Sequence, residues 1–209
     1  MVQLETSFEK EIRYLLHVPK DYSGEPYPLM IFLHGAGERG NDLDLVKTHG
    51  PPKLIENGFE LPFIVASPQV ATGEWWSPST VIWVLQDVQS RLSIERDRVY
   101  LTGLSMGGYG TWETTFKYPN LFAAIAPICG RGDPEMAERI KHIPTWIFHG
   151  AKDTVVPETC SAVMFEALKP FGNVKYTVYP DAEHDSWTET YENELLYDWM
   201  LKKSRSFSS

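Results

Sequence analysis

Arg98-Val99-Tyr100-Leu101-Thr102-Gly103-Leu104-Ser105-Met106-Gly107-Gly108-Tyr109-Gly110 is the stretch that decides how the rest of the chain is read. Its first five residues are short and β-prone, and Tyr109 to Tyr118 has a helical composition. Between them lies the pattern G-x-S-x-G. A strand, a tight turn carrying Ser, and then a helix force the Ser backbone into a strained conformation and lift its hydroxyl above the sheet. Glycines two before and two after Ser105 let strand and helix approach closely. The helix N-terminus behind Ser105 adds partial positive charge where an oxyanion would form. Glycine-rich turns are common in α/β proteins, so the pentapeptide acquires chemical meaning only if an acid and a histidine follow in order.

In this architecture the chain order is Ser, then Asp or Glu, then His. Of the six histidines only His142, His149 and His184 follow Ser105. His142, in Arg139 to Pro144, reads as the surface end of a helix. His149 ends the apolar run from Thr145 and reads as a packed strand-end residue. His184 lies in the polar loop Tyr179 to Ser186, between the last strand and the last helix, where the base belongs. Two acids compete. Asp153 follows the strand ending at His149, and Asp133 follows the strand before it. Both fall at C-terminal strand ends, where open parallel sheets build their sites. Asp153 is preferred because it sits one strand before the His184 loop. Asp181 and Asp185 are too close in sequence to His184 to orient it from behind.

A second motif, Gly35-Ala36-Gly37-Glu38-Arg39-Gly40, follows the apolar run Leu29 to Leu33 and matches the dinucleotide fingerprint G-x-G-x-x-G. That fingerprint also needs a helix at once and an acid about 20 residues on. Here Asn41-Asp42 and His49-Gly50-Pro51-Pro52 break the helix, and the next strand, 63–67, ends in Pro68-Gln69 with no acid at its tip. The segment reads instead as an oxyanion loop. The expected donors are the backbone N–H groups of Met106 and Ala36, with Gly37 as the alternative to Ala36.

β-prone segments near 11–18, 28–34, 62–67, 98–103, 122–128, 144–149 and 173–179 alternate with helical patterns near 78–95, 105–118, 134–141, 158–169 and 187–203. This alternation predicts an α/β fold, a mostly parallel twisted sheet with helices on both faces, its first segment antiparallel at one end. Residues 1–209 are expected to form one domain with its core at about 10–203 and a loose tail from Ser204 to Ser209. The short connection after 128 leaves no room for a sizeable lid, which implies an open cleft. Trp75, Trp76 and Trp187 are candidate substrate-binding walls of that cleft, with core packing an equal alternative. The 209 residues carry a net charge of −9, which argues against a nucleic-acid partner. No apolar run is long enough to span a bilayer. Met1 to Lys10 lacks a signal-peptide core, so the chain is expected to be soluble, either cytoplasmic or exported with its signal absent from this sequence. Cys129 and Cys160 fit no metal pattern, though their positions after consecutive strands leave a single bridge open.

Four segments carry a family resemblance: Leu33 to Gly40, Gly103 to Gly108, Phe148 to Asp153 with Val156-Pro157, and Tyr179 to His184 with Trp187. Together they resemble a serine esterase of the α/β-hydrolase superfamily. The chain looks close to the small bacterial predicted-peptidase and phospholipase/carboxylesterase-like esterases, near dienelactone hydrolases and polyester depolymerases. The resemblance covers about residues 10–203 and says little about substrate. The triad template then makes Ser105 the nucleophile, His184 the base and Asp153 its orienting acid. It implies no metal or organic cofactor, and a small-molecule or polymer-attached ester as substrate. The expected activity is hydrolysis of short-chain carboxylic esters through an acyl-enzyme. Feruloyl or acetyl-xylan esterase and serine peptidase or amidase activities remain alternatives, as does a non-catalytic binding module on a hydrolase scaffold.

Overall fold

Near-continuous apolar runs mark strands buried on both faces, and the central strands of this sheet carry them. In the computed structural model, which describes residues 12–205, the strands are β1 (Tyr14–His17), β2 (Tyr27–Leu33), β3 (Ile64–Pro68), β4 (Ile94–Leu104), β5 (Ala124–Ile128), β6 (Thr145–Gly150) and β7 (Val174–Tyr179). They form one sheet in the order β1-β3-β2-β4-β5-β6-β7. β1 runs antiparallel to β3, with Tyr14 opposite Pro68 and His17 opposite Val65, and every other pair is parallel. The chain winds one way from β2 to β3 and the other way from β4 onward. The C-terminal ends of β2 and β4 therefore border the crevice where such sheets bind ligands.

The helices are α1 (Gly50–Glu56), α2 (Pro78–Arg91), α3 (Met106–Lys117), α4 (Ala137–Ile140), α5 (Thr159–Leu168), α6 (Trp187–Glu192) and α7 (Glu194–Leu201). Strand periodicity divides the core between the two faces. On β2, Leu29, Ile31 and Leu33 pack with Val84, Trp112 and Met164 of α2, α3 and α5. Met30 and Phe32 point the other way, toward Leu54, Tyr191 and Met200 of α1, α6 and α7. Among the described residues no helix is long and apolar enough to cross a membrane.

Several boundaries differ from expectation. Only 3₁₀ turns lie between β2 and Gly50, as the break read at Asn41-Asp42 and His49 to Pro52 requires, but α1 then starts at Gly50-Pro51-Pro52, a helix the pattern did not predict. Proline is harmless in a first turn, whose N–H groups lack intrahelical acceptors anyway. The pattern at 78–95 ends at Arg91, because Ile94 already pairs with Tyr27 of β2. The last helix is two: Asn193 interrupts it and its side chain accepts the N–H of Leu195, capping α7. The tail does not start loose. Ser204 donates to the Asp97 carboxylate at 2.8 Å, and the Arg205 N–H donates to the Asp97 carbonyl at 2.9 Å. The rest of the expected tail, and Met1 to Lys10, lie outside the described residues. Both cysteines are unbridged thiols, Cys129 buried and Cys160 half-buried.

The end of β2, the end of β4 and the first turn of α3 meet backbone to backbone. A Cβ on Gly107 would lie 1.9 Å from the Leu33 carbonyl oxygen, and one on Gly103 would lie 2.4 Å from the Gly107 oxygen. Gly107→Ala is therefore expected to cost at least about 3 kcal/mol, or to prevent folding, because the obstruction is main chain that cannot rotate away. Urea unfolding monitored by tryptophan fluorescence measures it; a loss below about 1 kcal/mol would contradict the close approach.

Candidate active site

The turn between β4 and α3 holds Ser105 at φ 52°, ψ −114°, a conformation that L-residues avoid. Two main-chain bonds keep it there: the Ser105 N–H donates to the Ile128 carbonyl at 2.9 Å, and the Tyr109 N–H donates to the Ser105 carbonyl at 3.1 Å. The half-exposed hydroxyl of Ser105 lies 2.9 Å from His184 Nε2. His184 Nδ1 lies 2.7 Å from Asp153 Oδ2, so Nδ1 carries a hydrogen and Nε2 is left to accept from Ser105. The other carboxylate oxygen, Oδ1, accepts the N–H groups of Val155 at 2.8 Å and Val156 at 2.9 Å. Burial pushes the Asp153 carboxyl up, but the bond from His184 and the N–H groups of Val156 and Val155 outweigh it and hold the group below its ordinary value.

Two loops deliver this acid and this histidine, and they are stitched together. The Ala151 N–H donates to Tyr179 O at 2.9 Å and the Lys152 N–H to Ala182 O at 3.0 Å, while a Cβ on Gly150 would lie 2.1 Å from Glu183 O. The rival acid, Asp133, is elsewhere: it caps the short turn at Pro134–Met136 by accepting the Glu135 N–H at 3.0 Å. Asp181 pairs with Lys152, and Asp185 accepts from Thr188.

Across the crevice, the loop after β2 places Ala36 at the start of a 3₁₀ turn, Ala36–Glu38, as Met106 starts α3. Both are first residues, whose N–H groups have no acceptor within their own helix. Gly37 is the next residue of the same turn, and a Cβ there would meet nothing within 4 Å. Four side chains hold this loop: Glu38, Gln69 and His34, which the sequence did not single out, and Trp76, which it offered for the cleft wall. The buried Glu38 carboxylate accepts the Gly35 N–H at 2.7 Å. Gln69 donates to the carbonyls of Glu38 at 2.7 Å and Asp42 at 2.8 Å. His34 donates from Nδ1 to Gly35 O at 2.6 Å and accepts the Val70 N–H at Nε2, 3.2 Å away. Trp76 donates its indole N–H to His34 O at 2.9 Å. A Glu three residues after the N-cap Gly35 was a legible signal, half of a capping box. The others depend on which strand ends meet.

The three tryptophans separate. Trp76, only 7% exposed, belongs to the core beneath the loop after β2 and not to the cleft wall, because its indole N–H is used to hold that loop. Trp75 is 62% exposed and stands edge-on to Tyr109, one turn of α3 beyond Ser105. Trp187 lies edge-on to His184 at 5.2 Å and to His49 at 5.3 Å. An open groove of about 760 Å³, lined by Tyr109, Arg131, Glu135, Cys160 and Val163, continues from Tyr109.

Cys129, Asp153 and His184 bring three ligand-type atoms within 4.8 Å of one another. The Cys129 thiol is pushed up to about 12 by burial, which keeps it protonated and a poor metal ligand. Asp153 and His184 are bonded to each other.

Burial holds His34 down to about 4, so its ring is neutral. The sign follows from linkage: an unfolded histidine, with a reference value of about 6.5, binds a proton that the folded one refuses until about pH 4. Stability is present above about pH 6.5 and is lost as pH falls toward 4, by up to about 3 kcal/mol. His17, also lowered by burial, adds in the same direction. Urea midpoints at pH 7 and 4.5 are expected to converge in His34→Gln relative to the parent; an identical pH slope in both would count against the buried neutral ring.

A parallel sheet with one antiparallel edge, a strained Ser at the turn after β4, an acid on the loop after β6 and a histidine on the loop after β7 make up an α/β-hydrolase. The chain belongs to the phospholipase/carboxylesterase family, whose model matches residues 79–195. It is 27% identical over 132 residues to a bifunctional acetylxylan esterase/xylanase of Neocallimastix patriciarum, covering 62% of this chain and 20% of that protein. It is 30% identical over 139 residues to poly(3-hydroxyalkanoate) depolymerase C of Paucimonas lemoignei, covering 54% of this chain and 30% of that one. Its fold is similar to the crystal structure of a thermostable esterase, with a TM-score of 0.81 and 38% identity over 93% of this chain and 60% of that one. The chain thus spans under a third of the length of the curated relatives it matches.

Proposed function

We propose that the protein is a serine carboxylesterase hydrolysing short-chain carboxylic esters, with Ser105 as nucleophile, His184 as general base and Asp153 as the acid that orients it. The observation that carries this reading is the unbroken line Ser105 Oγ to His184 Nε2 at 2.9 Å and His184 Nδ1 to Asp153 Oδ2 at 2.7 Å. In the first half-reaction His184 takes the Ser105 proton as Oγ attacks the ester carbonyl. The negative oxygen is held by the N–H groups of Met106 and Ala36, with Gly37 as the alternative donor. His184 then gives its proton to the departing alkoxide, leaving an acyl-Ser105. In the second half, water loses a proton to His184 and attacks the acyl carbonyl; the acyl–Oγ bond breaks, His184 returns its proton to Ser105 Oγ, and the acid is freed. Asp153 holds the imidazolium in each half. The step asks nothing of a metal or organic cofactor, and residues 1–209 are taken to act as one domain.

A second reading concerns the substrate's attachment. The exposed Trp75 and the open groove beside Tyr109 favour an ester carried on a polymer, as in acetylated or feruloylated polysaccharide. The net charge of −9 disfavours polyanionic partners.

Three measurements test this function. Asp153→Asn is expected to lower kcat by about 10³–10⁴, by presenting the wrong His184 tautomer, while Asp133→Asn does far less; a reversal moves the acid to the other loop. The kcat/KM for a neutral ester is expected to fall on the acid side through one ionisation and to level off above it, because a general base must be unprotonated and imidazole has a reference pKa of about 6.5. A flat profile from about pH 5 to 9 in folded protein removes His184 as the base. In a p-nitrophenyl series from acetate to palmitate, the short esters are expected to turn over fastest. Equal turnover of palmitate sinks the short-chain assignment. No turnover and no fluorophosphonate labelling of Ser105 would leave a binding module.

A further inference from the structure

His149 ends the apolar run of β6 and is fully buried, which in sequence reads as packing. Its ring is engaged at both nitrogens. Nε2 faces two acceptors, Asp153 Oδ2 at 3.1 Å and the Val156 carbonyl at 2.9 Å, so it carries a hydrogen. Nδ1 lies 2.7 Å from Ser161 Oγ on α5. The carboxylate oxygen that His149 reaches is the same Oδ2 that takes the His184 N–H at 2.7 Å. The ring does not face Ser105, and a base role is closed to it.

We propose that His149, set in place by Ser161, is a positioning residue for the acid. By sharing Asp153 Oδ2 it fixes the rotation of the carboxylate and tempers the negative charge that His184 meets. The inference rests on the esterase reading above. Its physical content is specific. Val155 and Val156 hold Oδ1, and without His149 the His184 N–H would be the sole hydrogen bond at Oδ2. With that second donor gone, the carboxylate would swing about its one anchored oxygen and would also bind the imidazolium more strongly. The base would then hold its proton to higher pH. The other ionisable groups around the pair are the Cys129 thiol at the end of β5, Tyr109 on α3, Asp185 beside His184, and His49 across the Trp187 ring. None of these is altered by a change at position 149.

The test compares His149→Leu, His149→Gln, His149→Asn and Ser161→Ala by steady-state kinetics on a neutral p-nitrophenyl ester across pH. Losing one hydrogen bond to a charged group predicts a fall in kcat of about 10- to 100-fold for His149→Leu, with KM changed by less than about twofold. The acid limb of kcat/KM should move to higher pH, which loosened packing alone would not produce. The Gln amide nitrogen reaches as far as Nε2 of His, so His149→Gln should recover most of the loss and the original limb. The shorter Asn amide falls at the Nδ1 position and should behave like Leu. Ser161→Ala should lie between Gln and Leu. In an Asp153→Asn background, His149→Leu should cost nothing further. A folded His149→Leu protein with parental kcat and an unmoved limb overturns the proposal. If Leu does not fold, Gln no better than Asn overturns it equally. A parent protein without turnover on any ester defeats the esterase reading itself, and the positioning role with it; turnover with unaffected variants defeats the positioning role alone.

Discussion

The site depends on one close approach. The first turn of α3 lies against the end of β2 with nothing but a glycine hydrogen between main-chain atoms, because a Cβ on Gly107 would fall 1.9 Å from Leu33 O. That proximity fixes the distance between the serine turn and the loop after β2, and so the space in which an oxyanion would sit. Beside it Ser105 sits at φ 52°, ψ −114°, a conformation that costs on the order of 1–3 kcal/mol. The bonds of Ser105 N–H to Ile128 O and of Tyr109 N–H to Ser105 O offset part of that strain. Both come from elements anchored in the core, and among the described residues only Ser105 and the neighbouring Cys129, at the end of β5, are non-glycines at positive φ.

Two buried carboxylates flank this serine, and their surroundings differ. Asp153 collects donors on both oxygens, two of them main-chain N–H groups, and is kept ionised. Glu38 spends Oε2 on the Gly35 N–H, and its Oε1 lies 3.8 Å from His49 Nε2. The first carboxylate acts on the histidine line and the second on the shape of the opposite loop. Neutral His34 ties that loop to the main chain after β3 without adding charge beneath it.

Chain order was enough to pick Ser105, Asp153 and His184, which the structure brings into hydrogen-bonding distance, and strand alternation was enough to predict the parallel sheet. These are features a linear pattern can carry: a motif, a sequence of types, a period. What stayed hidden depends on side chains meeting across strands that are distant in sequence. Gln69 reaches the turn at Glu38, and Trp76 reaches back to His34. His149 looked like packing because burial and apolar neighbours are legible, whereas its two hydrogen-bond partners are not. Local chemistry misled in other places. Pro51-Pro52 read as the end of one segment but also open a helix that the pattern missed, and Asn193 looked like an ordinary helix residue but caps α7.

The link between β5 and β6 holds only a 3₁₀ turn and the four residues of α4, whose Ala137 and Ile140 are buried in the core. Among the described residues, that link offers no flap to fold over Ser105. An esterase built from the described residues would have no gate over Ser105 to open before chemistry. Its rate should follow the concentration of dissolved substrate along a simple hyperbola and show no surge when the substrate passes its solubility limit and gathers into droplets. Its response to a solid polymer should likewise be set by how many ester groups the surface presents to an open, rigid notch.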